Sequence, residues 1–336
     1  MKTNPLWVGL LLVLSFSDGA ADEARVLRLG HFPNMTHAQA LMARASGQFE
    51  QKIGVPIEWT SFNAGPTAIE ALFADAVDAT FVGPNPTING YIKSKGSKFV
   101  IVAGSASGGA GLVVRRDAGI RTERDFHGKI IATPQLGNTQ DVAARVWFLA
   151  RGYKTREKGG SLTVISLANP DQLTMMQKKE IHGAWTVEPW LSRLEFDGNG
   201  VLYLDEKTLW PQGQHVTTHL VVRKAFLASN PELIKNLLRA LVEVTQTINA
   251  DKADATQVVN AELKKLTGKA LADRVIDQAM QRVEFTWDPI RASLYGAADA
   301  AREIGFLRTE PNLQGIYSLG FLNQVLEEKG LPLVAP

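Results

Sequence analysis

Residues 78–86 read DATFVGPNP, a short apolar run that stops at a glycine and two prolines. The β-branched and aromatic residues before Gly83 favour an extended strand, and the Gly-Pro pair ends it. A helical pattern follows at residues 87–95. This stretch therefore predicts a buried strand that runs into a helix through a tight turn.

The same alternation of strand and helix extends to both sides of this stretch. A strand pattern at residues 26–29 precedes apolar residues at helical spacing over 38–49. Downstream, a strand pattern at 129–132 precedes an amphipathic helix that we expect to open at Asn138. From residue 231 onward the chain is almost entirely helical. The pattern predicts an α/β fold of mostly parallel, helix-covered sheets with a helical C-terminal part.

Two crossing points divide the chain into two lobes. A glycine-rich run leads into a strand near residues 108–114, and a second strand-like run covers 215–222. We expect residues 22–110 and 217–336 in the first lobe and residues 111–216 in the second. A hinge of two strands would join the lobes, and such hinges close around ligands.

The N-terminus has the pattern of an export signal. Lys2 precedes an apolar run over residues 6–16, which is too short to span a bilayer. Gly19 and Ala21 supply the small residues of a cleavage site. Residues 1–21 are therefore predicted to be a cleaved signal peptide of a periplasmic protein.

The composition excludes several classes of function. The 336 residues carry a formal net charge of +2 and no cysteine. A charge so close to zero does not indicate nucleic-acid binding, so we expect no nucleic-acid partner. Without cysteine there is no disulfide framework, thiolate zinc site or cysteine nucleophile.

No enzyme motif is complete. The run GSASG at residues 104–108 has Ala106 where a nucleophile elbow requires serine. His215 and His219 lie in a strand-like stretch that separates them by about 13 Å, too far to share a metal ion. We therefore expect no catalytic residue, no metal, no cofactor and a monomeric protein that is not an enzyme.

Small, uncharged polar residues and glycines follow the predicted strands. Ligands of open α/β sheets bind beyond the carboxyl ends of strands, and most of these segments open a helix whose free N–H groups favour an anion. Each segment alone also fits an ordinary helix cap. The candidate ligand-binding residues are Thr36, His37, Asn63, Asn85, Ser107, Gly137, Asn138, Thr139, Gln140, Glu188 and Trp190.

Four segments together resemble the sulfonate/nitrate/taurine group of ABC-transporter solute-binding proteins, and within it the aliphatic-sulfonate and sulfate-ester binders. The segments are FNAGP at 62–66, DATFVGPNP at 78–86, ATPQLGNTQD at 132–141 and WTVEPW at 185–190. The resemblance runs from about residue 27 to about residue 305. It implies a two-lobed type II periplasmic-binding fold.

The resemblance also implies a function in sulfonate uptake. The head group would lie near Asn63, Asn85, Ser107, Asn138 and Thr139, with Thr36 and His37 in the first-lobe wall and Glu188 and Trp190 on the second-lobe side. The partners would be a small anionic sulfonate or sulfate ester and an inner-membrane ABC permease with its ATPase.

Two alternatives stay open at this point. The cargo could instead be nitrate, bicarbonate, taurine or a thiamine precursor, although an inorganic anion would need little apolar wall and Trp190 in the cleft would argue against it. The other alternative is an enzyme of the pyrimidine-precursor synthase type on the same fold. The signal-peptide pattern and the absence of cysteine count against that enzyme.

Overall fold

The structure is a computed structural model that describes residues 26–335. The predicted signal peptide at 1–21 lies outside the described residues. Two β-sheets, each covered by helices on both faces, form two lobes. The predicted two-lobed α/β fold is confirmed. Within the described part of the chain, no helix is long and apolar enough to cross a membrane.

The strands are short and the C-terminal third is mainly helical. The strands are β1 (Leu27–His31), β2 (Ile57–Ser61), β3 (Ala79–Val82), β4 (Phe99–Gly108), β5 (Ala110–Arg115), β6 (Ile130–Thr133), β7 (Thr163–Ser166), β8 (Gly183–Val187), β9 (Gly200–Asp205), β10 (Val216–Arg223) and β11 (Val283–Phe285). The helices are α1 (Ala38–Ser46), α2 (Gln48–Ile53), α3 (Gly65–Phe73), α4 (Pro84–Lys93), α5 (Thr139–Ala150), α6 (Asn169–Gln177), α7 (Trp190–Phe196), α8 (Lys224–Ser229), α9 (Pro231–Ala250), α10 (Lys252–Thr267), α11 (Asp273–Arg282), α12 (Arg291–Glu303) and α13 (Gly320–Glu328).

Strand direction in both sheets follows from how the chain crosses between them. The first sheet has the order β11-β4-β10-β3-β1-β2 and the second has the order β7-β6-β8-β5-β9. β1, β2 and β3 pair in parallel, as do β6, β7 and β8, because each ends at the cleft. β5 and β10 begin at the cleft after a crossing and therefore pair antiparallel with their neighbours. Most strands run in one direction. The reversed strands are β10 and the edge strand β11 in the first sheet and β5 in the second.

The two crossings differ from each other. The first is a sharp turn at Gly108 and Gly109, with φ angles of 72° and 68°, a region that favours glycine. The second covers residues 206–215 and contains the 3₁₀ turns Glu206–Leu209 and Pro211–Gly213. It leads into β10, which begins at residue 216 and confirms the strand-like run expected over 215–222. Ala110 opens β5 of the second sheet and Val216 opens β10 of the first, so each lies one residue to the other side of the boundaries proposed at 110/111 and 216/217.

Two further local expectations are corrected. The helix expected over residues 38–49 is broken at Gly47, whose φ of 69° separates α1 from α2. Residues 105–108 do not form a loop after a strand, because they continue β4, where they pair with β10 and β11. Ser107 therefore approaches the cleft from a strand and not from a helix start.

Each sheet has a buried core on both faces. In the first lobe, Leu220 and Leu241 belong to one core and Val221 and Leu294 belong to the other, so neighbouring residues of β10 face opposite helical layers. In the second lobe, Trp185 anchors one of the two cores. These layers fix the strand ends that border the cleft.

Candidate functional site

The two lobes are in contact across the cleft. The Trp190 indole N–H of the second lobe donates to the Asn34 side-chain oxygen of the first lobe at 3.2 Å. The Met35 backbone N–H donates to the Glu188 carbonyl at 3.0 Å. The structure thus has the lobes closed, and the residues between them are largely buried.

The start of helix α5 is fixed by its own side chains. Asn138 is the N-cap, and its Oδ1 accepts from the Asp141 N–H at 2.8 Å while its Nδ2 donates to Gln140 Oε1 at 3.2 Å. The Asp141 carboxylate accepts from the Gly137 N–H and from Thr133 Oγ1, each at 2.9 Å. The prediction that Asn138 opens a helix is confirmed, and this side chain holds the helix start in place.

Thr139 brings the second-lobe helix α5 against the first lobe. Its buried Oγ1 has no hydrogen-bond partner within residues 26–335. A Cβ built on Gly83 would lie 2.5 Å from Thr139 Oγ1 and 3.4 Å from the Thr217 carbonyl oxygen. The starts of α4 and α5, which belong to different lobes, therefore meet at a point where only glycine leaves room.

Three more buried hydroxyls lie at the cleft ends of β4 and β10. Val216 pairs with Ser107, and Thr217 and Thr218 follow it along β10. The hydroxyls of Ser107, Thr217 and Thr218 have no partner in the described part of the protein. Leaving one such group unsatisfied costs about 1–3 kcal/mol. Together with Thr139 they form what we call the hydroxyl cluster, which is defined by these four residues.

The hydroxyl cluster is defined by its place at the cleft, where ring nitrogens of His215 and His219 also lack a partner within the described chain. Single buried polar atoms without a partner occur elsewhere, such as Trp147 Nε1 and Tyr317 Oη. The four hydroxyls lie on elements that border one cleft, and hydroxyl groups are donors that suit an oxyanion. Thr217 and Thr218 are neighbours on β10, so their side chains leave opposite faces of the strand. The sequence interpretation missed Thr217 and Thr218, although a Thr-Thr pair at the start of a crossing strand was the signal that marked them.

A cavity of about 650 Å³ opens between the lobes. Of the predicted site residues, Asn63 and Trp190 line it. The other lining residues are Pro33, Asn34, Ser61, Asn169, Pro170, Arg193, Asp197, Leu266, Thr267, Lys269, Ala270, Leu271 and Ala272. The cavity combines an aromatic wall with amide donors and one partly buried arginine.

Arg193 is a cavity residue that the sequence interpretation missed. Its guanidinium carbon lies 4.5 Å from the centre of the Trp190 ring, since residues three apart share a face of α7. Its Nε is buried and has no hydrogen-bond partner within the described chain. Burial lowers the pKa of Arg193, and the nearest carboxylate, Asp197, lies 3.9 Å from Nε. The spacing from Trp190 could have identified this residue.

Glu188 is wholly buried and is occupied by protein partners. Its carboxylate accepts from the Ser192 N–H at 3.1 Å, from Ser192 Oγ at 3.0 Å and from Arg282 Nη1 at 3.0 Å. Burial raises the pKa of Glu188 to about 7, against the opposing effect of Arg282. Glu188 therefore stabilises the start of α7 and contacts the other lobe.

The remaining candidates are buried in the first lobe. Asn85 Nδ2 donates to the Ala297 carbonyl at 3.0 Å, which ties α4 to α12. Thr36 and His37 lie on the 3₁₀ turn after β1. His37 Nδ1 accepts from the Phe32 N–H at 3.4 Å, and burial lowers the pKa of His37 well below its ordinary value. His37 is therefore neutral and brings no positive charge to an anion.

The described residues hold no group of three or more His, Cys, Asp or Glu side chains arranged to bind a metal ion.

Comparison with known sequences identifies relatives over most of the chain. The profile of the NMT1-like family matches residues 20–263. A taurine-binding periplasmic protein of Escherichia coli (strain K12) is 24% identical over 210 residues, 62% of this chain and 62% of that protein, so the match covers less than two thirds of that relative. A Bacillus subtilis (strain 168) protein named for binding aliphatic sulfonates is 25% identical over 295 residues, 86% of this chain and 85% of that protein.

Comparison with solved structures supports the same architecture. The periplasmic nitrate-binding protein NrtA from Synechocystis PCC 6803 matches with a TM-score of 0.78 at 16% sequence identity. The match covers 92% of this chain and 90% of that chain. At this identity the likeness shows a shared fold.

Proposed function

The chain belongs to the NMT1-like family, and from that membership we propose that it is the periplasmic solute-binding subunit of an ABC importer. It captures a small organic sulfonate or sulfate ester between its lobes and delivers it to the membrane permease, which an ATPase drives. Two sequence relatives named for taurine and aliphatic sulfonates support this cargo class. The export-signal pattern supports the periplasmic location.

The hydroxyl cluster is the observation that carries the proposal. A sulfonate has acceptor oxygens and no proton at neutral pH, so it satisfies hydroxyl donors that have no protein partner in the described chain. The backbone N–H groups at the start of α5 add donors and a partial positive charge. At the start of α4, Pro84 and Pro86 have no N–H, so Asn85 supplies the free backbone donor there. We place the head group at this cluster. Asn85 and Asn138 lie at the starts of α4 and α5, where their side chains bind protein partners, and Asn63 lines the neighbouring cavity.

The neighbouring cavity favours an organic ligand over an inorganic one. Its volume of about 650 Å³ is many times the roughly 30 Å³ of a water molecule. Trp190, a large and mainly apolar side chain, is among its lining residues. Nitrate or bicarbonate would use only a small part of this space.

Catalysis is not part of the proposal. The named relatives are binding proteins. His37, His215 and His219 are buried, and burial lowers the pKa of each, to about 4 for His215 and His219. Each of the three is therefore a weak base near neutral pH.

A thermal-shift panel tests the cargo class. The purified protein is heated with alkyl and aryl sulfonates, sulfate esters, taurine, nitrate, bicarbonate and a thiamine precursor. A ligand at about 100 times its Kd should stabilise the protein by about 2.7 kcal/mol. We expect shifts with sulfonates or sulfate esters. If only nitrate, bicarbonate or the thiamine precursor raised the unfolding temperature, that compound would replace sulfonates as the proposed cargo. If no compound raised it, the result would oppose the proposal.

A further inference from the structure

Two asparagine side chains that line the cavity have their amide oxygens bonded to protein donors, so their NH₂ groups remain to donate to a ligand. Asn34 Oδ1 accepts from the Trp190 indole, which can only donate, so the Asn34 NH₂ group is left for another partner. Asn169 Oδ1 likewise accepts from Thr186 Oγ1 at 2.9 Å. Both asparagines line the cavity. Their orientation makes them donors toward whatever binds there.

The positive charge of Arg193 is only partly compensated. Its closest carboxylate, Asp197, lies 3.9 Å away and also lies 3.6 Å from Arg274. Lys269 adds a second cationic residue to the lining, whereas Asp197 is the acidic residue there. A guanidinium beside two amide donors is a set that recognises an acidic group.

A short segment joins this cavity to the hydroxyl cluster. Asn34 lines the cavity, and Thr36 lies beside Gly109, where a Cβ would be 3.6 Å from Thr36 Cγ2. Two peptide units place the Cα atoms of Asn34 and Thr36 at most about 7.6 Å apart. Ser107 of the hydroxyl cluster is two residues before Gly109 on the same crossing. The segment from Asn34 to Thr36 therefore borders both the cavity and the crossing that follows Ser107.

We propose that the ligand carries a second acidic group, such as a carboxylate, that binds Arg193, Asn34 and Asn169 while its sulfonate lies at the hydroxyl cluster. This inference rests on the proposed function and narrows its substrate class to sulfonates with a second anionic end. An ammonium at the same position would face Arg193 and be repelled, so a zwitterion such as taurine is disfavoured.

Calorimetric titration with three probes tests the inference. Sulfoacetate, ethanesulfonate and taurine have similar size but end in a carboxylate, a methyl and an ammonium. We expect wild-type protein to bind sulfoacetate at least about tenfold more tightly than ethanesulfonate, and taurine most weakly. Arg193→Gln should weaken sulfoacetate binding about tenfold and change ethanesulfonate binding by less than about twofold.

Arg274→Gln is the matched control, because Arg274 is exposed and outside the cavity lining. It should preserve the preference for sulfoacetate. Equal wild-type affinity for sulfoacetate and ethanesulfonate would overturn the inference. An equal loss of affinity for both ligands in Arg193→Gln would do the same. Either result would leave the proposed function standing. Binding of none of the three sulfonates would overturn both.

Discussion

The Arg282 guanidinium of the first lobe lies 3.0 Å from the wholly buried Glu188 carboxylate of the second lobe. The same guanidinium contacts Glu195, so one arginine joins two acidic residues across the cleft. Glu188 is also next to the first crossing, because its N–H donates to the Gly109 carbonyl at 2.8 Å. The closed arrangement thus includes a buried ionic contact beside the hinge.

Arg282→Gln should shift the ligand-free protein toward an open arrangement. The substitution removes the charge that joins the lobes, and breaking a buried pair is strongly unfavourable for the arrangement that contains it. We expect a larger radius of gyration by small-angle X-ray scattering and ligand affinity lowered severalfold. Arg274→Gln, which removes an exposed interlobe pair, should change neither quantity. An unchanged radius and affinity in Arg282→Gln would show that this contact does not hold the lobes together.

Thr139→Val should weaken sulfonate binding about tenfold without destabilising the protein. Valine keeps the shape of threonine and removes a hydroxyl that has no protein partner among residues 26–335. Calorimetry gives the affinity and chemical denaturation gives the free energy of unfolding. Thr256→Val is the control, because this buried threonine on α10 already donates to the Lys252 carbonyl outside the cleft. Normal affinity in Thr139→Val would exclude this hydroxyl as a ligand contact.

Asn138→Ala should lower both stability and affinity, because it removes the cap that accepts from the Asp141 N–H. Loss of such a cap costs about 1 kcal/mol of unfolding free energy. Asn138→Ser keeps a capping oxygen and should restore most of both properties. Thermal unfolding and titration of the two variants check this. Wild-type affinity in Asn138→Ala would remove the start of α5 from the binding site.

Glu206 should make stability fall as pH rises toward neutrality. Burial raises the pKa of Glu206 to about 7 and lowers the pKa of His215, 3.9 Å away, to about 4, so the two form no ion pair. Between about pH 4.5 and 7 the folded protein keeps a proton that the unfolded chain releases, so the folded state loses stability through this window. The full cost above pH 7 is about 3 kcal/mol.

Glu206→Gln keeps an acceptor for the Trp185 indole, which lies 2.7 Å from the carboxylate, and removes the titration. The variant should therefore gain stability relative to wild type as pH rises from 5 to 8. Chemical denaturation at both pH values measures this difference. A difference that is the same at pH 5 and pH 8 would show that Glu206 does not titrate in this range.

Local patterns were sufficient to predict much of the fold. The strand before Gly83 and the helix after it, the helix start at Asn138 and the long helix α9 depend on turn residues, caps and apolar spacing, which act within a few residues. β11 could not be found in this way. It has three residues and exists because it pairs with the end of β4.

The site was predicted only in part, because its groups meet through tertiary packing. Ser107 and Thr139 were named from loop-like segments, yet the hydroxyl cluster is completed by Thr217 and Thr218, which reach the cleft through the pairing of β10 with β4. The partner of Glu188 is Arg282, 94 residues away in the sequence. No local pattern indicates such a contact.

The most direct test is calorimetric titration of the wild-type protein with an organic sulfonate and, separately, with nitrate. Binding of the sulfonate at one site, with no heat from nitrate at the same concentrations, is the result predicted by a hydroxyl cluster beside a large cavity. Binding of nitrate with no detectable binding of any organic sulfonate would contradict the account.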